Sequence, residues 1–335
     1  MKTQKYGIGI IGAGHSLPEY IESNEELCSH INGITPDWIV EKTGIKARRI
    51  ASHEETASGF AFSASVNALR SANISPEQLG LIIVCTFSGD YIFPHVSANL
   101  HRKLGAKKAQ TFDLQACCAG FISGLVVAVD RMKMEKEIEY ALVVSVELIT
   151  RYRDKSDVDS AIYLSDGAGA AVLGRVKDGF GLLSSDFHTD SSNFESVRLC
   201  GGGSNFPKSI HTSPARTDYI EMSGLATWKQ AVTHLPVVTR NACNKASIPI
   251  DKIDFFLFHQ ANLNLIRYVV QKFNAPLEKT YTNVEEIGNT GSASLAIVLS
   301  EALQKNLIKK GNDVVLAAVG AGFSFGASVW RWQNV

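Results

Sequence analysis

Apolar residues in this chain gather into two kinds of stretch. Four are short, dense in Val, Ile, Leu and Phe, and almost free of polar interruption: LGLIIVCTF from Leu79, YALVVSVEL from Tyr140, DFFLFHQ from Asp254 and DVVLAAVGAG from Asp313. Runs of that length without alternation suit strands covered on both faces, as in a parallel sheet flanked by helices. Between them the apolar residues recur at helical spacing, as at Phe121, Leu125, Ala128 and Val129, which predicts amphipathic or buried helices. The combination is an α/β pattern.

The pattern also repeats. EQLGLIIVCTFS from Glu77 resembles DKIDFFLFHQAN from Asp251, 174 residues on. CAGFISGLVVAV from Cys118 resembles GSASLAIVLSEA from Gly291, and ALVVSVELIT from Ala141 resembles VVLAAVGAGF from Val314, both at a spacing of 173. Three ordered matches at nearly one spacing predict a duplicated α/β half, with residues 1–175 and 176–335 as the two copies. Each copy would supply a central strand, a small-residue turn and a buried helix, and the two turns would meet at a pseudo-twofold axis.

Composition narrows the classes. The 335 residues are 45% hydrophobic and carry 33 basic against 33 acidic residues, enough for a sizeable core and with no net field to attract nucleic acid. No apolar run reaches membrane-spanning length, and MKTQKYGIGIIGAGHS lacks the apolar segment and small-residue cleavage site of a secretory signal. A soluble cytoplasmic protein, with no membrane and no nucleic-acid partner, is expected. The six cysteines show no CxxC spacing and no grouping with histidine, so neither a zinc site nor a disulfide framework is expected.

Several short motifs carry candidate chemistry. GIGIIGAGHS contains GxGxxG at Gly7, Gly9 and Gly12, but the glycines sit inside the apolar run and not at the opening of a helix. They read as strand positions where neighbours approach closely, not as a dinucleotide site. In ACCAGFI, Cys118 falls at or beside a helix start, where unpaired N–H groups and the macrodipole favour a thiolate with a lowered pKa. The stretch alone fits two buried structural thiols equally well. His259 leaves an apolar strand in FLFHQANLNLI, and Asn289 stands in a glycine-flanked turn in EEIGNTGSASLAIVL, the turn that the repeat pairs with the one holding Cys118. The backbone of Gly320-Ala321-Gly322 would lie beside both and could present an N–H to a carbonyl oxygen.

These residues, in this order, resemble the thiolase-fold condensing enzymes, and most closely the 3-oxoacyl-[acyl-carrier-protein] synthase III family. The segments carrying the likeness run nearly end to end: TPDWIVEKTGIKARRI, TFDLQACCAGF, SDGAGAAVLG, FHQANLNLI, GNTGSAS and GAGFSFGAS. The resemblance implies a thiolase-like α/β fold in which the two halves form a five-layered αβαβα arrangement. It places the nucleophile at Cys118, immediately before Ala-Gly-Phe, and leaves Cys117 as a structural neighbour. It places the other two catalytic groups at His259 and Asn289, and the oxyanion hole at the backbone N–H groups of Cys118 and Ala321.

The activity implied is acylation of Cys118 by an acyl-CoA or acyl-carrier primer, then decarboxylative Claisen condensation with malonyl carrier protein, as in fatty-acid initiation or a related acyl or polyketide pathway. No metal or organic cofactor is implied. Trp38, Lys42, Phe93 and Trp228 are the implied substrate contacts, Trp38 by stacking on adenine and Phe93 by reaching a neighbouring subunit's acyl pocket. An acyl carrier protein, acyl-CoA and a second copy of the chain are the implied partners. Departures from the family pattern fall at Lys42, Leu225, Asn264 and the loop RYRDKSDVDS, as expected of a relative with a specialised product. Two other readings stay open: transfer of the Cys118-bound acyl group to an amine or alcohol with His259 as base, and a non-catalytic partner subunit.

Overall fold

Each of the four unbroken apolar runs is a strand, and each is unbroken because it is packed from both sides. The computed structural model describes residues 6–207 and 216–333. Nine strands build its two main sheets: β1 (Tyr6–Ser16), β2 (Leu79–Cys85), β3 (Gln110–Leu114), β4 (Tyr140–Leu148), β5 (Asp166–Lys177), β6 (Gly181–Thr189), β7 (Phe255–Phe258), β8 (Asp313–Gly320) and β9 (Ser324–Arg331). Seven helices matter to the site: α1 (Pro36–Thr43), α2 (Ala57–Ala72), α3 (Val96–Leu104), α4 (Gly120–Met134), α5 (Gly224–Lys245), α6 (Leu263–Lys272) and α7 (Ala293–Gln304).

The first sheet has the order β1-β5-β4-β2-β3 and the second β7-β8-β9-β6. In the first, β2 runs parallel to β3 and β4, while β5 is antiparallel to β4 and β1. In the second, β7 is parallel to β8, and β9 is antiparallel to β8 and β6. The sheets therefore match strand for strand, β2 with β7, β4 with β8, β5 with β9 and β1 with β6. In the place corresponding to β3, the second sheet has an isolated parallel bridge from Phe256 to Thr280.

Side chains alternate between two cores along each central strand, as the pleat requires. Leu81, Ile83 and Cys85 of β2 and Leu257, Leu316 and Ala318 of β7 and β8 face a central core with Phe121, Leu125, Leu295 and Leu299 of α4 and α7. Ile82 and Val84 face α2 and α3, and Phe256, Phe258, Val315 and Ala317 face α5 and α6. The layers run α2/α3, first sheet, α4/α7, second sheet, α5/α6, the five-layered αβαβα arrangement. Helix α7 buries nine of its twelve residues, and each fully buried Leu, Ile or Val contributes roughly 1.5–3 kcal/mol.

The glycines of β1 do what their place in a strand suggests. A Cβ on Gly7 would lie 1.9 Å from the Phe180 carbonyl oxygen, one on Gly12 2.6 Å from Ala72 Cβ, and one on Gly14 2.3 Å from the Ala68 nitrogen. They let β1 sit against α2 on one face and against the start of β6 on the other. No helix among the described residues is long and apolar enough to cross a membrane.

Candidate active site

The cysteine turn is a short bridge between a strand and a buried helix. After β3 the chain makes one 3-10 turn, Cys117–Ala119, and enters α4 at Gly120. Cys117 has φ 46°, a left-handed conformation that costs a residue with a Cβ about 1–2 kcal/mol, so its neighbours must hold it. A Cβ on Gly320, the last residue of β8, would lie 2.6 Å from Ala116 O, 2.8 Å from Ala119 N and 3.1 Å from Cys118 N. A Cβ on Gly124 would lie 2.6 Å from Cys85 Sγ. Glycine at 320 and 124 lets the turn and α4 sink between β8 and β2.

That depth reverses one expectation from the sequence. A helix start on its own favours a thiolate, but burial pushes the Cys118 thiol well above its ordinary value, and Cys117 and Glu147 add in the same direction. Cys117 is likewise pushed up to about 11 by burial and Glu147. The resting thiol is therefore protonated, because the water lost on burial outweighs what the helix start returns.

His259 leaves the end of β7 with its backbone N–H donating to Ala317 O of β8 at 2.9 Å. Its Nδ1 lies 2.6 Å from Ser294 Oγ, in the first turn of α7. The Ser294 oxygen already accepts from the Gln260 N–H at 3.0 Å, which leaves its hydroxyl proton for Nδ1. This network assigns the Nε2–H tautomer, an imidazole that presents a donor. Burial lowers the His259 pKa to about 4, so it is neutral through the physiological range.

Asn289 is fixed at three points. Its backbone N–H donates to Tyr163 O and its carbonyl accepts from Ser165 N–H, both at 2.9 Å. Its Oδ1 accepts from Gly291 N–H at 2.9 Å, which fixes the orientation of the side-chain amide, and no protein acceptor meets its Nδ2 among the described residues. Gly288 and Gly291 have φ 79° and 56°, values that glycine adopts without penalty.

Packing joins these pieces. A Cβ on Gly120 would lie 3.5 Å from Ser292 Cβ, so the starts of α4 and α7, with Cys118 and Asn289 just upstream, abut as the repeat predicts. Ala321 follows the last ladder pair, Gly320 with Ser324, and its N–H falls outside the sheet ladder. The next residues are anchored by Phe323, whose N–H and C=O both pair with the backbone of Asp190.

A cavity of about 400 Å³ opens nearby, lined by Trp38, Lys42, Trp228, Leu225, Asn262 and Asn264 among others. Three of the four residues implied as substrate contacts therefore line one cavity. Lys42 is engaged by Glu41 at 3.2 Å. Asn262 caps α6 and also donates to Lys42 O at 3.1 Å, tying α6 to α1. Phe93 does not line this cavity; it stands 83% exposed beside Tyr91 and Ile92. Sequence reasoning missed Ser294, Glu147 and Asp190. Only Ser294 left a signal, a serine five residues after Asn289 on the buried start of α7.

The chain matches the sequence pattern described as 3-oxoacyl-[acyl-carrier-protein (ACP)] synthase III over residues 112–191, and the C-terminal pattern of that description over residues 243–332. It is 36% identical over 327 residues to the beta-ketoacyl-[acyl-carrier-protein] synthase III of Fusobacterium nucleatum subsp. nucleatum, covering 97% of this chain and 98% of the other. Among solved structures it is similar to 3-oxoacyl-[acyl-carrier-protein] synthase III from Aquifex aeolicus VF5, with a TM-score of 0.90 at 33% identity over 97% of this chain and 100% of that one. The priming beta-ketosynthase of the R1128 polyketide biosynthetic pathway gives a TM-score of 0.91 at 28% identity over 100% and 99%.

Proposed function

This chain belongs to the 3-oxoacyl-[acyl-carrier-protein] synthase III family and is an acyl-transferring condensing enzyme of the thiolase fold; we propose that Cys118 carries its acyl group while His259 and Asn289 drive decarboxylation of a malonyl thioester. In the first half-reaction Cys118 Sγ attacks the primer thioester carbonyl. The new S–C bond replaces the bond to the carrier sulfur. Because the resting thiol is protonated, its proton leaves as that bond forms and ends on the departing carrier thiol. The N–H groups of Cys118 and Ala321 serve the oxyanion of the tetrahedral intermediate.

In the second half-reaction the malonyl thioester carbonyl accepts hydrogen bonds from His259 Nε2–H and Asn289 Nδ2–H. Loss of CO2 leaves its electron pair in the enolate, which attacks the acyl carbonyl on Cys118. Collapse releases the 3-oxoacyl carrier and a thiolate that regains a proton from water. Two neutral donors aimed at charge that develops only in the transition state are worth about 3 kcal/mol each.

The observation that carries this reading is that His259 and Asn289 are each held through one side-chain atom. Ser294 holds one nitrogen of His259 and Gly291 holds the amide oxygen of Asn289, so the other nitrogen of each is left to donate to a substrate. A histidine with a pKa of about 4 is a poor base for an amine or alcohol acceptor, which favours condensation over simple acyl transfer. On this reading the primer reaches Cys118 as an acyl-CoA or acyl-carrier thioester past Trp38, Lys42 and Trp228, without metal or organic cofactor, in the cytoplasm. The apolar loop Tyr91-Ile92-Phe93, with Ile92 87% exposed, supports a homodimer in which Phe93 reaches the neighbouring subunit. The division into halves 1–175 and 176–335 belongs to the same reading.

The test offers purified enzyme a radiolabelled acyl-CoA and malonyl carrier protein. Wild type should take up label on Cys118, release CO2 and form a 3-oxoacyl carrier, and Cys118→Ala should take up none. Acylation of wild type with no CO2 release would overturn condensation in favour of transfer to another acceptor.

A further inference from the structure

Behind the two catalytic turns lies a carboxyl that the proposed reaction does not use. Glu147, next to last in β4, is fully buried. No Lys or Arg pairs with it among the described residues, although a lone buried carboxylate is costly unless it is fully hydrogen-bonded. Four neutral donors take that role instead. Ser292 Oγ donates to its Oε1 at 2.5 Å, and Ser88 Oγ, Thr86 Oγ1 and the Phe87 N–H donate to its Oε2 at 2.5, 3.3 and 3.4 Å.

The donors come from two directions. Thr86–Ser88 follow β2 and lead into the exposed Tyr91-Ile92-Phe93 loop. Ser292 stands at the start of α7, three residues after Asn289, and is also held by Ser145 Oγ at 2.7 Å. Gly291, which orients the Asn289 amide, passes so close that a Cβ there would lie 3.0 Å from Glu147 Cγ. The two carboxyl oxygens of Glu147 offer enough lone pairs to accept from all four donors. Burial moves its pKa up to about 8, and the titratable groups whose charge it influences are Cys85, Cys117 and Cys118.

We propose that Glu147 is a positioning residue for the decarboxylating half-reaction, acting through Ser292 and Gly291 to fix the turn that presents the Asn289 amide. The inference rests on the reading of Asn289 as a donor to the malonyl thioester. Glu147 makes no hydrogen bond to Cys118 among the described residues. Its anchor on Thr86–Ser88 gives the Asn289 turn a support outside its own half of the fold. The cysteine turn has a separate support in Gly320, so the two half-reactions should part company when Glu147 is changed.

The experiment measures both half-reactions separately in Glu147→Gln, Glu147→Asp and Ser292→Ala, with Asn289→Ala beside them. Acylation is read as mass gain on Cys118 from acyl-CoA, and decarboxylation as CO2 released from malonyl carrier protein by pre-acylated enzyme. Glu147→Gln and Ser292→Ala should lower CO2 release at least about tenfold, the scale of a misplaced reacting group, while acylation changes less than about threefold. Glu147→Asp, which keeps a carboxyl able to accept from Ser292, should recover part of the loss. Equal slowing of both half-reactions, or of neither, would overturn the inference. If Glu147→Gln does not fold, Ser292→Ala decides alone, since it removes the bond to Glu147, with the Ser292 contacts to Ser145 Oγ and Cys85 O, and leaves the carboxyl in place. Loss of CO2 release in Asn289→Ala with Glu147→Gln and Ser292→Ala unchanged sinks only the role of Glu147; unchanged CO2 release in Asn289→Ala sinks the reading of Asn289 and this inference with it.

Discussion

Gly320 at the end of β8 lies directly against Cys118: a Cβ on the glycine would sit 3.1 Å from the Cys118 backbone nitrogen, and nearer still to Ala116 O and Ala119 N. The last residue of β8 thus sets the height of the cysteine turn. Gly320→Ala must push that turn away by several tenths of an ångström, at a packing cost of roughly 1–3 kcal/mol. Acylation should fall about 100-fold from the displaced nucleophile and oxyanion donor, measured as mass gain on Cys118. A variant that folds and acylates at the wild-type rate would show that this contact does not set the turn.

Cys117 adopts a left-handed backbone with its thiol pushed up to about 11. Alanine meets the same backbone penalty there as cysteine does, so Cys117→Ala should fold normally and keep activity within about threefold, whereas Cys118→Ala should take up no acyl group. Near-complete loss of activity in a folded Cys117→Ala protein would reassign the nucleophile.

His259 links stability to pH in a defined direction. Its folded pKa of about 4 lies below the ordinary value near 6.5, so the unfolded chain binds the extra proton first. Its contribution is fully present above pH about 6.5 and is lost as pH falls toward 4, on the order of 3 kcal/mol in all. The denaturant midpoint of wild type should therefore drop between pH 7 and 4.5 more than that of His259→Gln. Parallel pH curves for the two proteins would contradict a buried neutral imidazole.

Arg153 and Glu22 form a bidentate pair at 2.6 and 2.8 Å, with both side chains 1% exposed. Removing Arg153 leaves Glu22 buried with only the longer, 4.0 Å contact to the exposed Lys155. Arg153→Ala should destabilise the protein by about 3–5 kcal/mol, read from chemical denaturation. A loss below 1 kcal/mol would mean that water reaches Glu22 once the guanidinium is gone.

The parts of this molecule that could be read from the chain are those set by local pattern. β2, β4, β7 and β8 announce themselves because burial on both faces leaves no polar alternation, and the repeat in the sequence pairs the turn of Cys118 with that of Asn289. The glycines of β1 are legible because their strand context differs from that of a nucleotide loop. What fails is whatever depends on depth. The helix start beside Cys118 suggests a lowered thiol pKa, but the turn is sunk between β2 and β8, and that depth is a tertiary property. Glu147 reads as an ordinary polar residue near a strand end, since its four donors come from segments about 60 and 145 positions away. The bond from Ser294 to His259 spans 35 positions and is equally invisible to periodicity.

One nucleophile and two neutral donors should divide the reaction into separable halves. This division is tested most directly by timing both halves in Asn289→Ala and His259→Ala: mass gain on Cys118 from a primer acyl-CoA, then CO2 released from malonyl carrier protein by the pre-acylated protein. The account predicts acylation within about threefold of wild type and CO2 release reduced about 100-fold or more, the loss that follows removal of a donor to developing charge. CO2 release at the wild-type rate in either variant, or acylation lost in step with it, would contradict the account.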